Sequence, residues 1–236
     1  MKQIIIFNHK SYMLADDVLE YINDIKNKVP TTLDVVMLPS PIYMPYFNGK
    51  YNFILGSQTI DEKEVTGCIS GAQLSSFNVK YALTNHHERE TYLNEDKRLI
   101  AKRVLECILN NITPIIMVGE TYEEYERQKT GDVILKQLKT YLSNINDFNK
   151  LVIVYEPNYK VTDDNIKSNK EISEIVDLIK LVIERKYKKT PIVCYGGGIN
   201  EKTIKELNKI ESLDGYIIGK ASTSVKSACK LLDLVD

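Results

Sequence analysis

Glu156 follows the apolar run Leu151-Val152-Ile153-Val154-Tyr155 and precedes Pro157, which places a carboxylate where a strand should end. Other polar residues stand in the same relation to other apolar runs. Asn8 and Lys10 follow Ile4-Ile5-Ile6-Phe7, Gln58 follows Phe53-Ile54-Leu55-Gly56, and Asn85-His86-His87-Glu88-Arg89 follows Tyr81-Ala82-Leu83. Glu120 closes Pro114-Ile115-Ile116-Met117-Val118, and two more runs close on Gly196-Gly197-Gly198 and Gly219-Lys220. A carboxylate, a histidine and a lysine converging on one mouth suit proton transfer beside an anionic substrate. Glycine at adjacent strand ends leaves backbone N–H groups free to approach phosphate oxygens. No spacing of His, Cys or acidic residues suits a metal, so the electrophile is expected to be protein donors and no cofactor is expected.

The elements that must bring these residues together are eight apolar runs, with Asp34-Val35-Val36-Met37-Leu38, Pro191-Ile192-Val193-Cys194-Tyr195 and Gly215-Tyr216-Ile217-Ile218 completing the set. Most are apolar throughout, as parallel strands covered on both faces are. Between them lie segments of helical spacing: Val18, Tyr21, Ile22, Ile25; then Leu99, Ile100, Val104, Leu105, Ile108; then Ile172, Ile175, Val176, Ile179, Val182, Ile183. The segments near 71–77 and 200–207 are short. Lys102, Arg103, Lys180 and Arg185 are expected to be solvated charge on outer helix faces. Eight strand–helix units of about 30 residues each use the whole chain, which predicts a single (β/α)8 barrel domain over 1–236. A doubly wound open sheet would want a Gly-rich turn after the first strand, where this chain has Asn8-His9-Lys10. In an eightfold barrel the active site lies at the C-terminal strand ends, where the residues above stand.

The chain has 236 residues, 43% hydrophobic and 27% charged, which excludes a disordered chain; Lys+Arg 31 against Asp+Glu 32 leaves no field to draw it onto nucleic acid or an anionic membrane. No run approaches the roughly 20 apolar residues of a membrane helix, so a cytoplasmic location is expected. The four cysteines are widely spaced and are expected to be reduced, structural thiols.

Along nearly its whole length the chain resembles the triosephosphate isomerase family, a family of TIM barrels. The family's N-x-K appears as Asn8-His9-Lys10, its T-G-E-[IV]-S as Thr66-Gly67-Cys68-Ile69-Ser70, and its G-H-S-E-R as Asn85-His86-His87-Glu88-Arg89. Pro114-Ile115-Ile116-Met117-Val118-Gly119-Glu120-Thr121, Tyr155-Glu156-Pro157, Tyr195-Gly196-Gly197 and Asp214-Gly215-Tyr216-Ile217-Ile218-Gly219 follow in the family's order. The resemblance implies interconversion of dihydroxyacetone phosphate and glyceraldehyde 3-phosphate through an enediolate, with a glutamate base, a neutral histidine and a closing loop that are known features of that family. Carried over, Glu156 is the base, His86 donates to the developing oxyanion, Lys10 adds positive charge, Asn8 orients the carbonyl, and Glu88 pairs with Lys10 or holds the base in its swung-out position. The resemblance also implies phosphate contacts at Thr162, Gly197, Gly198, Gly219 and Lys220, and a homodimer through the Thr66-Gly67 loop.

The departures cluster at the phosphate. The family lid V-W-A-I-G-T-G reads Asn158-Tyr159-Lys160-Val161-Thr162-Asp163-Asp164 here, where two acidic residues oppose a dianion by about 1 kcal/mol per pair in water. Gly198 replaces a serine, Lys220 a glycine, His87 a serine and Asn85 a glycine. An isomerase of a longer ketose phosphate, such as a tetrulose phosphate, and a non-catalytic homologue binding a phosphorylated metabolite are therefore carried as alternatives. His87 is expected to pack or support, Lys220 to touch phosphate or solvent, and Glu120 to pair with Arg89 beneath the site. Tyr43-Met44-Pro45-Tyr46-Phe47 is expected to pack on the barrel or on a partner subunit.

Overall fold

β-Branched residues stiffen the backbone toward the extended state, and eight short runs rich in them pair edge to edge. The structure is a computed structural model, and it describes residues 4–49, 51–159 and 167–235. Its strands are β1 (Ile4–Asn8), β2 (Asp34–Leu38), β3 (Ile54–Ser57), β4 (Tyr81–Leu83), β5 (Thr113–Val118), β6 (Val152–Tyr155), β7 (Ile192–Tyr195) and β8 (Gly215–Ile218). All pair in parallel in sequence order, and β8 returns to β1 to close the barrel. The crossovers carry α1 (Ala15–Ile25), α2 (Met44–Phe47), α3 (Gly71–Ser76), α4 (His87–Tyr92), α5 (Arg98–Leu109), α6 (Tyr122–Glu126), α7 (Thr130–Tyr141), α8 (Asn169–Tyr187), α9 (Thr203–Leu207) and α10 (Val225–Asp233). The molecule is the eight-unit α/β barrel that the apolar runs predict.

Period-two alternation divides each strand between two cores. Ile4, Ile6, Val152, Val154, Cys194 and Ile217 fill the barrel interior. Ile5, Phe7, Ile153, Tyr155, Val193 and Ile218 pack outward against the helices. Two residues on, the inward series reaches Asn8, Glu156, Gly196 and Gly219, so the strand register that fills the barrel also aims polar groups and glycines at its mouth. The longest helix, α8, buries Ile172, Val176, Ile179, Ile183 and Tyr187 at helical spacing. Ser168 caps it by accepting from the Glu171 N–H at 3.3 Å.

Two cations expected to be solvated are paired instead, Arg103 buried and Lys180 half-buried. Arg103 lies three residues after Ile100 and four before Cys107, on the buried stripe of α5, and is 5% exposed. It bonds Glu95 at 2.7 and 2.8 Å, Asp61 at 3.1 Å and the Thr84 carbonyl at 3.3 Å. Lys180 pairs with Asp214 at 2.9 Å and donates to the Ser212 carbonyl. Carboxylate and carbonyl oxygens replace the water that burial takes from such a group. Tyr43–Phe47 meets its expectation in part: Met44 and Phe47 are buried, and Tyr46 is 46% exposed. All four cysteines are free.

His9 points the other way from Asn8, into the outer core. It is 2% exposed, edge-on to Tyr21 at 4.9 Å, and neither ring nitrogen has a hydrogen-bond partner among the described residues. Burial holds its pKa near 3 against an ordinary 6.5. The unfolded chain therefore binds this proton first, and stability falls as pH drops below 6.5, by about 2 kcal/mol at pH 5. His86 adds a loss of the same sign and Glu156 a change of the opposite sign, and both are common to wild type and variant, so the difference between the two proteins isolates His9. His9→Phe is predicted to gain about 4–8 °C more in Tm at pH 5 than at pH 8; an equal gain at both pH values contradicts the assignment.

Candidate active site

Asn8 ends β1 and is 4% exposed; its Oδ1 accepts from the Lys10 N–H at 3.2 Å. Lys10 has φ 49°, a left-handed conformation that a long side chain adopts at a cost. Gln58 at the end of β3 holds it there, donating to the Lys10 and Leu38 carbonyls at 2.9 Å each. The strained turn sends the Lys10 ammonium across the mouth to Glu88 Oε1, 2.5 Å away. Burial works against the charge on Lys10, but the Glu88 carboxylate, with smaller contributions from Tyr12 and Glu156, outweighs it and holds the pKa above its usual value.

β4 runs directly into α4, so His86 is the helix cap: its Nδ1 accepts from the Glu88 N–H at 3.3 Å. An acceptor Nδ1 leaves the ring proton on Nε2. Burial, then the neighbouring His87 imidazole and the positive Lys10 and Arg89, pushes its pKa down to about 3. The imidazole is neutral at any physiological pH and can donate a hydrogen bond without carrying charge.

Glu156 lies beyond β6 at 6% exposure, its N–H bonded to the Val118 carbonyl at 2.9 Å. Burial raises its pKa to about 7; Lys10 opposes the rise and Glu88 adds to it. Two glycines make room for it. A Cβ at Gly119 would fall 1.8 Å from the Glu156 carbonyl oxygen, and one at Gly196 would fall 2.2 Å from Oε2.

One cavity of about 570 Å³ joins these residues, lined by Asn8, Lys10, His86, Glu88 and Glu156 on one side and by Gly197, Gly198, Gly219 and Lys220 on the other. That volume suits a small metabolite. Gly197 and Gly198 have φ 94° and 62°, so the third glycine of the loop, where the family carries serine, sits in the conformation that glycine tolerates. Lys220 is exposed at the rim. Thr162, with Lys160, Asp163 and Asp164, lies outside the described residues. Sequence reasoning missed Tyr12, Asn200 and Ala221, which also line the cavity; Tyr12 follows Lys10 closely enough to have been suspected, but Asn200 carries no signal beyond its distance from Gly198.

The expected Glu120–Arg89 ion pair does not form. Glu120 is fully buried and pairs with Lys167 at 2.8 Å and with the Tyr155 hydroxyl at 3.1 Å. Arg89 turns to Glu95, 2.7 Å away, and joins the network of Arg103. A buried carboxylate takes the nearest buried cation, and Lys167, beside the Tyr125 ring at 3.9 Å, is closer to it than α4 is. Among the described residues one grouping, His86, His87 and Glu88, brings three possible metal-donor atoms within 4.8 Å of one another, a juxtaposition the sequence reading did not foresee. The Glu88 N–H already occupies His86 Nδ1, and the Lys10 ammonium sits on Glu88, so two of the three are engaged by the protein itself.

The family model described as triosephosphate isomerase matches residues 3–235. The chain belongs to the triosephosphate isomerase family. It is 32% identical to the triosephosphate isomerase of Mycoplasmopsis pulmonis, over 98% of this chain and 97% of that protein. It is 33% identical to that of Mesomycoplasma hyorhinis over 89% and 86%, and 28% identical to that of Malacoplasma penetrans over 99% of each. Membership in the triosephosphate isomerase family covers the whole barrel.

Gly196→Ala places a methyl group on the carboxylate and is predicted to lower kcat by about 100-fold with KM within threefold, since an ångström of displacement at a reacting group costs about that much. An unchanged kcat in steady-state assays would show that the carboxylate does not act from this position.

Proposed function

We propose that the protein is a triosephosphate isomerase, interconverting dihydroxyacetone phosphate and glyceraldehyde 3-phosphate with the residues of this cavity. The observation that carries the roles is a buried carboxylate with a pKa near 7 facing a neutral histidine and a lysine across one cavity. Glu156 takes a proton from the carbon beside the carbonyl. The bonding pair moves into the carbon–carbon bond, and the carbonyl electrons move onto oxygen. His86 Nε2–H and the Lys10 ammonium meet that negative oxygen, and such donors are worth most where charge develops. The Glu156 carboxylic acid returns the proton to the neighbouring carbon, and the hydroxyl proton passes from one oxygen to the other. Asn8 orients the carbonyl, and Glu88 fixes the Lys10 ammonium. Gly197, Gly198, Gly219 and Lys220, together with Thr162, take the phosphate.

A base whose pKa sits near the working pH is both ionised often enough and strong enough to remove a weakly acidic C–H proton. His86 and Lys10 serve as electrophile, so the chemistry runs without a metal or organic cofactor. The relatives all carry the triose name and lend no support to a longer ketose phosphate or to a non-catalytic binder. Among the described residues no helix is long and apolar enough to cross a membrane, and the reading places the enzyme in the cytoplasm.

The same reading includes a homodimer. The loop carrying Thr66 and Gly67 projects from the closed bridge between Asp61 and Ser70, with Val65 55% exposed. A groove of about 330 Å³ beside Lys10 and Glu88 is walled by Pro41, Tyr92 and Leu93. Tyr92 and Leu93 are 78% and 63% exposed in a single chain, the kind of apolar surface that a partner covers. In this reading the loop of one protomer enters the groove of the other.

In a coupled assay on glyceraldehyde 3-phosphate the protein is predicted to turn over, and Glu156→Ala to lose about 1,000-fold in kcat; equal activity in the variant would remove Glu156 as the base. Sedimentation at micromolar protein is predicted to give twice the mass of one chain, and the mass of one chain would reject the dimer.

A further inference from the structure

Between α1 and α10, which pack together, the surface opens into a groove of about 370 Å³ that the mechanism above does not use. It shares no residue with the groove assigned to the loop of the other protomer, and only Tyr12 with the substrate cavity. One wall is a row of carboxylates. Asp17, Glu20 and Asp24 stand at i, i+3 and i+7 on the exposed face of α1, about 4.5 and 6 Å apart along the helix axis. Asp17 Oδ2 accepts from the Leu14 N–H at 2.9 Å, and none of the three carboxylates has a cation partner among the described residues. The facing wall, residues 223–226 at the start of α10, brings one ammonium, that of Lys226. Tyr21 also lines the groove; it is 2% exposed, and its hydroxyl has no hydrogen-bond partner among the described residues. Its ring meets His9 on the core side. Burial, and then the Cys229 thiol of α10, hold the phenol above its ordinary pKa, which puts the hydroxyl at the seam of α1 and α10 where the groove lies.

We propose that this groove binds a linear aliphatic polyamine along the row of carboxylates. Ammonium groups separated by three and by four methylenes lie about 5 and 6 Å apart in an extended chain of about 1.5 Å bonds, the same two spacings as the row. A single metal ion is a poorer occupant: among the described residues, the one grouping of three donor atoms close enough to share an ion is His86, His87 and Glu88. The methylenes lie against Tyr12 and Met13, and the Tyr12 ring, which has the Lys10 ammonium 5.9 Å from its centre, offers a π face to a second cation. The Tyr21 hydroxyl accepts from an ammonium N–H. A buried hydroxyl without a partner is costly, and a ligand donor offsets that cost, which sets this groove apart from an ordinary solvated acidic face. Three carboxylates against one lysine make the attraction local, since the whole chain, at a formal charge of -1, has no general field for a polycation.

Titration calorimetry of spermidine into the full chain at physiological ionic strength tests the site, and because it reads heat and not turnover its result is independent of the isomerase reading. One molecule per chain is expected to bind. Glu20→Gln, which removes the middle carboxylate, is expected to weaken binding about tenfold. Tyr21→Phe keeps the ring in place beside His9 and removes only the hydroxyl, and is expected to weaken binding about threefold. Glu174→Gln takes an exposed carboxylate from α8 instead, an equal change in net charge, and is expected to leave the affinity unchanged. Butylamine, with one ammonium, is expected to bind at least about tenfold more weakly than spermidine. An unchanged affinity in Glu20→Gln or in Tyr21→Phe, a loss in Glu174→Gln equal to that in Glu20→Gln, or butylamine binding as tightly as spermidine overturns the proposal.

Discussion

An ionised carboxylate taken out of water is the constraint around which the mouth of this barrel is arranged. A pKa raised from 4.5 to about 7 corresponds to about 3 kcal/mol, absent below pH 4.5 and fully felt above pH 7, by which folding disfavours the ionised Glu156. The strain is retained because the basicity it produces is what a C–H proton requires. Lys10 limits the cost from across the cavity, and Glu88 keeps Lys10 in place while adding a like charge that raises the base a little further. His86 is tuned in the opposite sense: its burial removes charge from a donor that would otherwise pair with the base and neutralise it.

That arrangement is a consequence of barrel geometry. The inward alternation that fills the interior with Ile6, Val154, Cys194 and Ile217 continues one step to Asn8, Glu156, Gly196 and Gly219. Where the carboxylate stands, its two neighbouring strands end in glycine, because a methyl group on either would overlap the Glu156 carbonyl or carboxyl. Beneath and beside the mouth, Arg103 pairs with Glu95 and Asp61, and Lys167 pairs with Glu120. Breaking such a pair by deleting one partner leaves an uncompensated charge, which costs more than the pair contributes when whole.

Much of this was legible in the sequence, and the part that was not has a physical reason. Strands announced themselves as β-branched runs, and strand ends announced the cavity, because a polar residue directly after an apolar run must lie at the barrel mouth. The charged networks were not legible. Arg103 reads as surface charge in a helix rich in Lys and Arg, and only its register on the stripe of Ile100 and Cys107 shows that it faces inward. Glu120 met Lys167 and not Arg89 because the choice among cations depends on how the loops after β5 and β6 fold over one another, a long-range relation with no local signal. The left-handed turn at Lys10 was hidden for a similar reason: nothing in Asn8-His9-Lys10 marks it, and Gln58, which holds it, is distant in sequence.

The account depends most on the claim that desolvation keeps Glu156 poised near neutrality. Titration of its carboxyl carbon by 13C NMR, in the ligand-free protein labelled at glutamate and assigned against Glu156→Gln, tests that claim without any assay of turnover. A midpoint near pH 7 is the expected result. A midpoint near 4.5, the value of a solvated glutamate, would show that water reaches the carboxylate and that its basicity has another origin.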